Sequence, residues 1–296
     1  MEDSESDGEE NPLIKAAKVC DIDALRRAIA EGCDVNYREP GTLSLRKGYS
    51  ALHHLCSSPY EQRLACVAAL IRAGADVNQR ARDLDWPSPP IFLAARFGSP
   101  DVVRALIDAG ADVTMAHPDG SKAPGLTPLH TAAIFGCAGS ILLLLAAGAD
   151  VNAVSHRSET PLDGALRMNL SRRIDRRTFV YLLRAGARIP THPENPLPPY
   201  LDKVRRAGGF IPYERAHRTR LAAIFIPKFP QLPAEVVHHI LPFLYLDILY
   251  RYRYQYRSTV VRHTCTHGTI SIPGFPQLPK KGRGGTRIIQ AMAVLN

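Results

Sequence analysis

Three residues near the C-terminus have the types and spacing that can bind a metal. His263, Cys265 and His267 alternate with threonine, so an extended strand would place all three on one side. A structural zinc site normally takes four ligands at recognised spacings, and no fourth ligand is evident in this sequence. We therefore expect no metal and no other cofactor.

Motifs that would support catalysis are also missing from the sequence. It has no nucleophile elbow, no phosphate-binding glycine loop with Lys and Ser/Thr, and no His-Glu-x-x-His helix. His53 and His130 are the remaining histidines that invite a catalytic or metal-binding interpretation. We expect this chain not to be an enzyme.

Charge and hydropathy restrict the class of protein. The net charge of +9 comes from the C-terminal third, where residues 201–296 hold 15 Lys/Arg against 4 Asp/Glu. The first ten residues are an acidic run without an apolar stretch or a basic leader, and the longest apolar run, 141–149, is well short of the ~20 residues that cross a bilayer. None of the six cysteines forms a Cys-x-x-Cys pair. We expect an intracellular protein, cytoplasmic or nuclear, with no membrane segment.

A short signature recurs five times in the first two thirds of the chain. It reads Gly-Cys-Asp-Val-Asn, Gly-Ala-Asp-Val-Asn, Gly-Ala-Asp-Val-Thr, Gly-Ala-Asp-Val-Asn and Gly-Ala-Arg-Ile-Pro, beginning at Gly32, Gly74, Gly110, Gly148 and Gly186. The glycines are 42, 36, 38 and 38 residues apart. An apolar helical pattern precedes each signature, and a second one lies upstream of it. The repeating unit is therefore helix, tight turn, helix, glycine stop and loop.

The residues of one unit explain this order of elements. Thr127 can cap a helix, and Pro128 suits its first turn, where no amide partner is lost. Leu129, Ala132 and Ala133 give a narrow apolar stripe that lets a neighbouring helix approach closely. A single unit cannot bury both of its faces, so the units must stack and share one core.

The units resemble the ankyrin repeat, whose consensus contains Thr-Pro-Leu-His-x-Ala and has a period of about 33 residues. Residues 125–152, "GLTPLHTAAIFGCAGSILLLLAAGADVN", are close to that consensus, and about five repeats cover 11–190. The resemblance implies an all-α solenoid of stacked helix-turn-helix units with finger loops. It also places His53 and His130 in the Thr-Pro-Leu-His position, where the imidazole is expected to bond turn backbone.

The same resemblance implies that the function is binding of a partner protein through the finger loops and the concave face. It predicts partner contacts at Arg80, Arg82, Asp85, Trp86, Arg96, Phe97, Ile134 and Phe135. Two alternatives stay open: packing of Phe97 and Phe135 against neighbouring repeats, and packing of the loop that carries Trp86 on itself.

Beyond the repeats, the segment 232–244 sets Val237, Ile240, Leu241 and Leu244 on one helical face, although Pro242 should kink or end that helix. It resembles the first helix of an F-box, which docks on the Skp-type adaptor of cullin ubiquitin ligases. The adaptor contacts that this resemblance implies are Leu232, Pro233, Glu235, Val236, Ile240 and Leu241. A helix that only caps the last repeat would show the same apolar face.

The sequence thus predicts four segments: an acidic disordered N-terminus (1–10), an ankyrin repeat domain (11–210), a helical F-box-like or capping segment (211–257) and a basic flexible tail (258–296). The predicted function is non-catalytic protein binding. Substrate recognition for a cullin-type ligase is the alternative. A third hypothesis is nucleic-acid binding by the basic C-terminus, where Arg251-Tyr-Arg-Tyr-Gln-Tyr-Arg257 sets charge beside stacking rings.

Overall fold

A computed structural model describes residues 10–40, 48–60, 62–81, 87–169, 177–190 and 199–228. These ranges contain twelve α-helices and no strand. The helices are α1 Pro12–Val19, α2 Ile22–Ala30, α3 Ala51–Ser57, α4 Arg63–Arg72, α5 Pro90–Arg96, α6 Pro100–Asp108, α7 Pro128–Phe135, α8 Ala138–Ala146, α9 Pro161–Asn169, α10 Arg177–Arg184, α11 Pro199–Arg206 and α12 Phe210–Phe225. A 3-10 helix, Ile226–Lys228, follows α12.

The first ten helices form five pairs that stack in two rows. Helices α1, α3, α5, α7 and α9 pack against one another in order, and α2, α4, α6, α8 and α10 do the same. Within each pair the two helices also pack together. The predicted all-α repeat solenoid is confirmed.

The core runs through all five pairs because the same positions are apolar in each. The first helices bury Leu13, Leu52, Ile91, Leu129 and Leu162, each at most 1% exposed. The second helices bury Ala28, Leu70, Leu106, Leu144 and Leu182 four residues before each glycine stop. Continuous burial of one position along successive units is the physical source of stability in a stacked array.

Helices α1, α7 and α9 begin with side-chain caps, whereas α5, with Pro89 at its N-cap, has none. In α7 the Thr127 hydroxyl accepts from the His130 amide, Pro128 occupies the first turn, and Gly136 ends the helix in the left-handed conformation with φ 71°. Repeat five departs from the consensus at Asp163, yet the cap survives there. The Asp163 carboxylate accepts from the Thr160 amide at 2.8 Å and from its hydroxyl at 2.7 Å.

Asparagine side chains join successive repeats. Asn36 donates to the Gly74 carbonyl at 3.3 Å, and its Oδ1 accepts from the Asp76 amide at 2.8 Å. Asn78 makes the same two bonds to Gly110 and Asp112, and Asn152 makes them to Gly186 and Arg188. Three of the four junctions are tied in this way.

The remaining junction lacks this tie because Thr114 stands where the others have asparagine. Its hydroxyl turns back to donate to the Asp112 carboxylate at 2.7 Å, and no side-chain bond from Thr114 to the next repeat occurs among the described residues. We expect Thr114→Asn to add both bonds and to stabilise the fold by about 1 kcal/mol. The measurement is urea unfolding followed by circular dichroism, with Thr114→Ser, which is also too short to reach Gly148, as the control. A Thr114→Asn variant no more stable than Thr114→Ser would contradict this account.

Contacts divide the chain into two compact units, Met1–Phe210 and Ile211–Asn296. In the first unit α11 follows the five pairs and buries Leu201 and Val204. In the second unit the described part is the remainder of α12 and the 3-10 helix. There Glu214 accepts from Arg218 at 3.0 Å, and the rings of Tyr213 and His217 stack with centroids 6.0 Å apart.

Candidate functional site

The two consensus histidines are bonded into the backbone of the repeats. The His53 Nδ1 faces both the Ser50 amide at 3.2 Å and its hydroxyl at 2.7 Å, and Nε2 lies 3.1 Å from the Ser88 carbonyl. His130 repeats the arrangement with Thr127 and the Glu159 carbonyl. Burial lowers the pKa of both imidazoles, that of His53 to about 4. Each ring therefore ties its own turn to the following repeat.

Repeat three has a different pair of rings in place of the consensus histidine and its backbone partner. Phe92 occupies the position of the consensus histidine, and the buried ring of His117 packs against it with centroids 4.4 Å apart. Burial, together with the charge of Arg80, lowers the pKa of His117 to about 4. His117 was missed by sequence reasoning, because its partner ring lies 25 residues upstream, on α5.

The finger loops contact one another. Arg80 donates to the Ala116 carbonyl at 3.0 Å and to the Pro87 carbonyl at 3.4 Å, so its guanidinium bridges two successive loops. Further along, the His156 amide donates to the Pro124 carbonyl at 3.2 Å, and the His156 ring lies 3.2 Å from the Asp119 carboxylate. Arg80, predicted as a partner contact, is half-buried in these internal contacts.

Arg96 and two aromatic rings form an exposed cluster at the C-terminal ends of α5 and α7. The guanidinium carbon of Arg96 lies 5.6 Å from the ring centroid of Phe97 and 5.0 Å from that of Phe135. Phe97 is 50% exposed and Phe135 is 36% exposed. We call these three residues the Arg96 cluster. Three of the eight predicted partner contacts thus come together from two repeats.

Ile134, beside this cluster in sequence, is oriented differently. It is half-buried, and a Cβ added to Gly164 of α9 would lie only 2.9 Å from its Cγ1. Ile134 therefore packs on the following first helix, which needs a glycine at the contact.

The Arg96 cluster belongs to a longer row of exposed apolar side chains at the turns between paired helices. Val19, the last residue of α1, is 61% exposed, and Tyr60, between α3 and α4, is 53% exposed. Neighbouring turns touch, since Cys20 Sγ lies 3.2 Å from Ser58 Oγ and Cys137 Sγ lies 3.5 Å from the Arg96 carbonyl. We call Val19, Tyr60, Phe97 and Phe135 the turn row. Tyr60 was missed by sequence reasoning because its turn lacks the usual glycine.

The other predicted contacts lie outside the described residues. They are Arg82, Asp85 and Trp86 of the finger loop, and Leu232, Pro233, Glu235, Val236, Ile240 and Leu241 of the F-box-like segment. His263, Cys265, His267 and the basic tail also lie outside them. In the part of the chain that is described, no helix is long and apolar enough to cross a membrane.

Comparison with protein families identifies the repeats. The model of a single ankyrin repeat matches residues 47–82, and the model of three consecutive ankyrin repeats matches 81–155. The matched region contains α3 to α8, the junction without asparagine and the whole Arg96 cluster.

Curated relatives match the same kind of region within otherwise different proteins. Protein phosphatase 1 regulatory subunit 27 of Mus musculus is 40% identical over 73 residues, 25% of this chain and 44% of that protein. Alpha-latrocrustotoxin-Lt1a of Latrodectus tredecimguttatus is 32% identical over 108 residues, 36% of this chain and 7% of the toxin. E3 ubiquitin-protein ligase KEG of Arabidopsis thaliana is 31% identical over 142 residues, 48% of this chain and 8% of the ligase.

This chain spans less than half the length of each of these relatives. The repeat itself is a protein-protein interaction module. The stacked helix pairs, the Thr127-x-x-His130 cap of α7 and the family matches agree, and residues 47–155 of the chain are ankyrin repeats.

Proposed function

We propose that this chain binds a partner protein through the Arg96 cluster and the turn row beside it, without chemistry of its own. The observation that carries the proposal is an arginine whose guanidinium lies over two exposed rings from adjacent repeats. Tyrosine, tryptophan and arginine dominate the binding energy of protein interfaces, and aromatic rings supply large contact area at low conformational cost.

Burial supports this surface over others on the first unit. Most apolar side chains of the paired helices are fully buried, whereas the four members of the turn row are between 36% and 61% exposed. They lie at equivalent turns of four successive repeats. Contiguous exposed apolar surface with a polar component is characteristic of interaction sites.

The proposal predicts that partner binding depends on the cluster. We expect Arg96→Ala, Phe97→Ala and Phe135→Ala, combined in the full chain, to weaken binding at least thirtyfold, since a hot spot is worth 2 kcal/mol or more. The measurement is quantitative recovery of proteins that co-purify with the chain, followed by titration of the best-recovered partner with both forms.

The matched control is Leu64→Ala with Leu142→Ala, which removes exposed apolar side chains from the second helices α4 and α8. The two forms should lose similar and modest amounts of stability in urea, because all four replaced apolar side chains are between 36% and 50% exposed. A partner that binds the cluster variant and the wild-type chain equally well would remove this surface from the proposal.

A narrower version of the proposal makes this chain the substrate-recognition subunit of a cullin-type ligase. It is supported by the Leu232-Pro-x-Glu235 pattern and the apolar residues that follow it. In this version the repeats would choose the target and the segment 232–244 would dock a Skp-type adaptor. It stays a prediction, as does nucleic-acid binding by the basic C-terminus.

A further inference from the structure

Arg96 differs from the basic residues at the equivalent position of other repeats. In repeat one, Lys18 binds the carboxylates of Glu10 and Glu39, each at 2.5 Å. In repeat five, Arg167 makes a two-pronged pair with Glu159 at 3.0 and 3.1 Å. Among the described residues the Arg96 guanidinium has no carboxylate or carbonyl partner, and it lies over the two rings. Its hydrogen-bonding capacity is therefore unused.

The contacts of Arg96 with the two rings favour a carboxylate as its ligand. A guanidinium presents five donors in a planar fork, and contacts with aromatic rings still allow its edge to bind a carboxylate in bidentate fashion. Ring contacts also restrict the flexible arginine side chain before a partner arrives, which lowers the entropy cost of binding. Bidentate arginine–carboxylate pairs are among the stronger hydrogen-bonded pairs in proteins.

The rings also determine what must flank that carboxylate. The ring centroids of Phe97 and Phe135 lie 5.6 and 5.0 Å from the Arg96 guanidinium carbon, on adjacent repeats, and both rings are open to solvent over part of their surface. Helices in contact are 8–10 Å apart, a distance that roughly three residues of extended chain span. An extended segment can thus place an apolar side chain on each ring and an acidic one between them.

We infer that the partner presents an extended segment in which an Asp or Glu lies between two apolar residues, its carboxylate pairing with Arg96 and its apolar side chains covering Phe97 and Phe135. This inference rests on the proposed function and specifies the partner's chemistry. A carboxylate fits better than a phosphate, because the cluster offers one guanidinium and phosphate sites are usually built from several basic groups.

The test is selection of random twelve-residue peptides on the purified full-length chain, with the selected peptides measured by fluorescence anisotropy. We expect the binders to contain Asp or Glu flanked by apolar residues. For the best peptide, Arg96→Glu in the chain and Asp→Lys in the peptide should each weaken binding at least thirtyfold. The two changes together should restore most of the affinity, since each charge again faces its opposite. Arg96→Lys should lose about tenfold, because it keeps the charge but not the fork.

Several outcomes would overturn the inference. Binders that lose affinity with Phe97→Ala and Phe135→Ala but show no acidic preference would overturn it and leave the proposed function in place. Tighter binding of the matched phosphoserine peptide would assign the cluster to phosphate. Failure to select any peptide would exclude an extended segment as the ligand. Selected peptides whose affinity is unchanged by every substitution in the Arg96 cluster would count against the proposed function as well.

Discussion

Acidification from pH 7 to pH 4.5 should lower the free energy of unfolding by several kcal/mol. Protonation of His53 should account for a large share of this loss. Burial lowers the pKa of His53 from its ordinary value of 6.5 to about 4. Above pH 6.5 the imidazole is neutral in both the folded and the unfolded chain. As the pH falls below 6.5 the unfolded chain takes up the proton first, and the resulting loss approaches about 3 kcal/mol near pH 4.

The hydrogen bonds of His53 explain why the fold rejects the proton. Nδ1 faces the amide and the hydroxyl of Ser50, and Nε2 faces the Ser88 carbonyl, so the neutral ring with its hydrogen on Nε2 satisfies every partner. A second hydrogen, on Nδ1, would point at the Ser50 amide. His117, whose pKa burial also lowers to about 4, should add to the loss over the same pH range.

The measurement is the free energy of unfolding by urea at half-unit steps from pH 7 to pH 4.5. His53→Gln is the matched variant, because an amide can donate to Ser88 and accept from Ser50 but does not titrate in this range. Its stability should start lower at pH 7 and fall less steeply than that of the wild type. Parallel losses in the two proteins would show that His53 has the same pKa folded and unfolded.

Gly125→Ala should destabilise the fold by roughly 3 kcal/mol, a large effect for a single methyl group in a loop. Gly125 has φ +76° and closes a finger, its amide donating to the His117 carbonyl at 2.9 Å. A Cβ there would lie 2.8 Å from the His156 backbone nitrogen and 3.1 Å from the Ser155 Cα. Because these are mainly backbone atoms of the next finger, the two loops would have to separate.

Gly120→Ala is a control that separates backbone strain at a positive φ from the clash of the added Cβ with the next finger. Gly120 lies in the same finger with a similar φ of +85°, yet a Cβ there would meet nothing within 4 Å. It should therefore show only the backbone strain, about 1 kcal/mol. Urea unfolding of both variants gives the difference. Equal destabilisation would mean that the contact between the fingers contributes nothing.

The fold could be predicted from the sequence because its determinants are local and repeated. Thr127, Pro128, Gly136 and Gly148 set helix starts and stops within one unit, and their recurrence indicates stacking. Even the divergent Asp163 keeps its cap, since capping needs only an acceptor at the right distance. The bridge from Arg80 to Ala116 was not predictable, because it depends on how two loops of unequal length meet.

The candidate site was predictable in part. Phe97 and Phe135 were identifiable from their position before each glycine, but the position does not reveal whether a ring packs inward or stays exposed. Ile134 illustrates the problem, since one place earlier in sequence it packs on Gly164. Within the described ranges Arg96 has no carboxylate partner, unlike Lys18 and Arg167, and this difference follows from three-dimensional contacts that have no signal in the sequence.

The asparagine ties have a consequence for how such a chain can evolve. Asn36, Asn78 and Asn152 bond only main-chain groups of the next repeat, a carbonyl and an amide. Every residue supplies that carbonyl and every residue except proline supplies that amide, so the joint places almost no demand on the side chains that follow it. A duplicated or exchanged repeat can therefore be accepted without a matching change in its neighbour. Recognition can diversify at the fingers and turns while the joints between repeats stay the same.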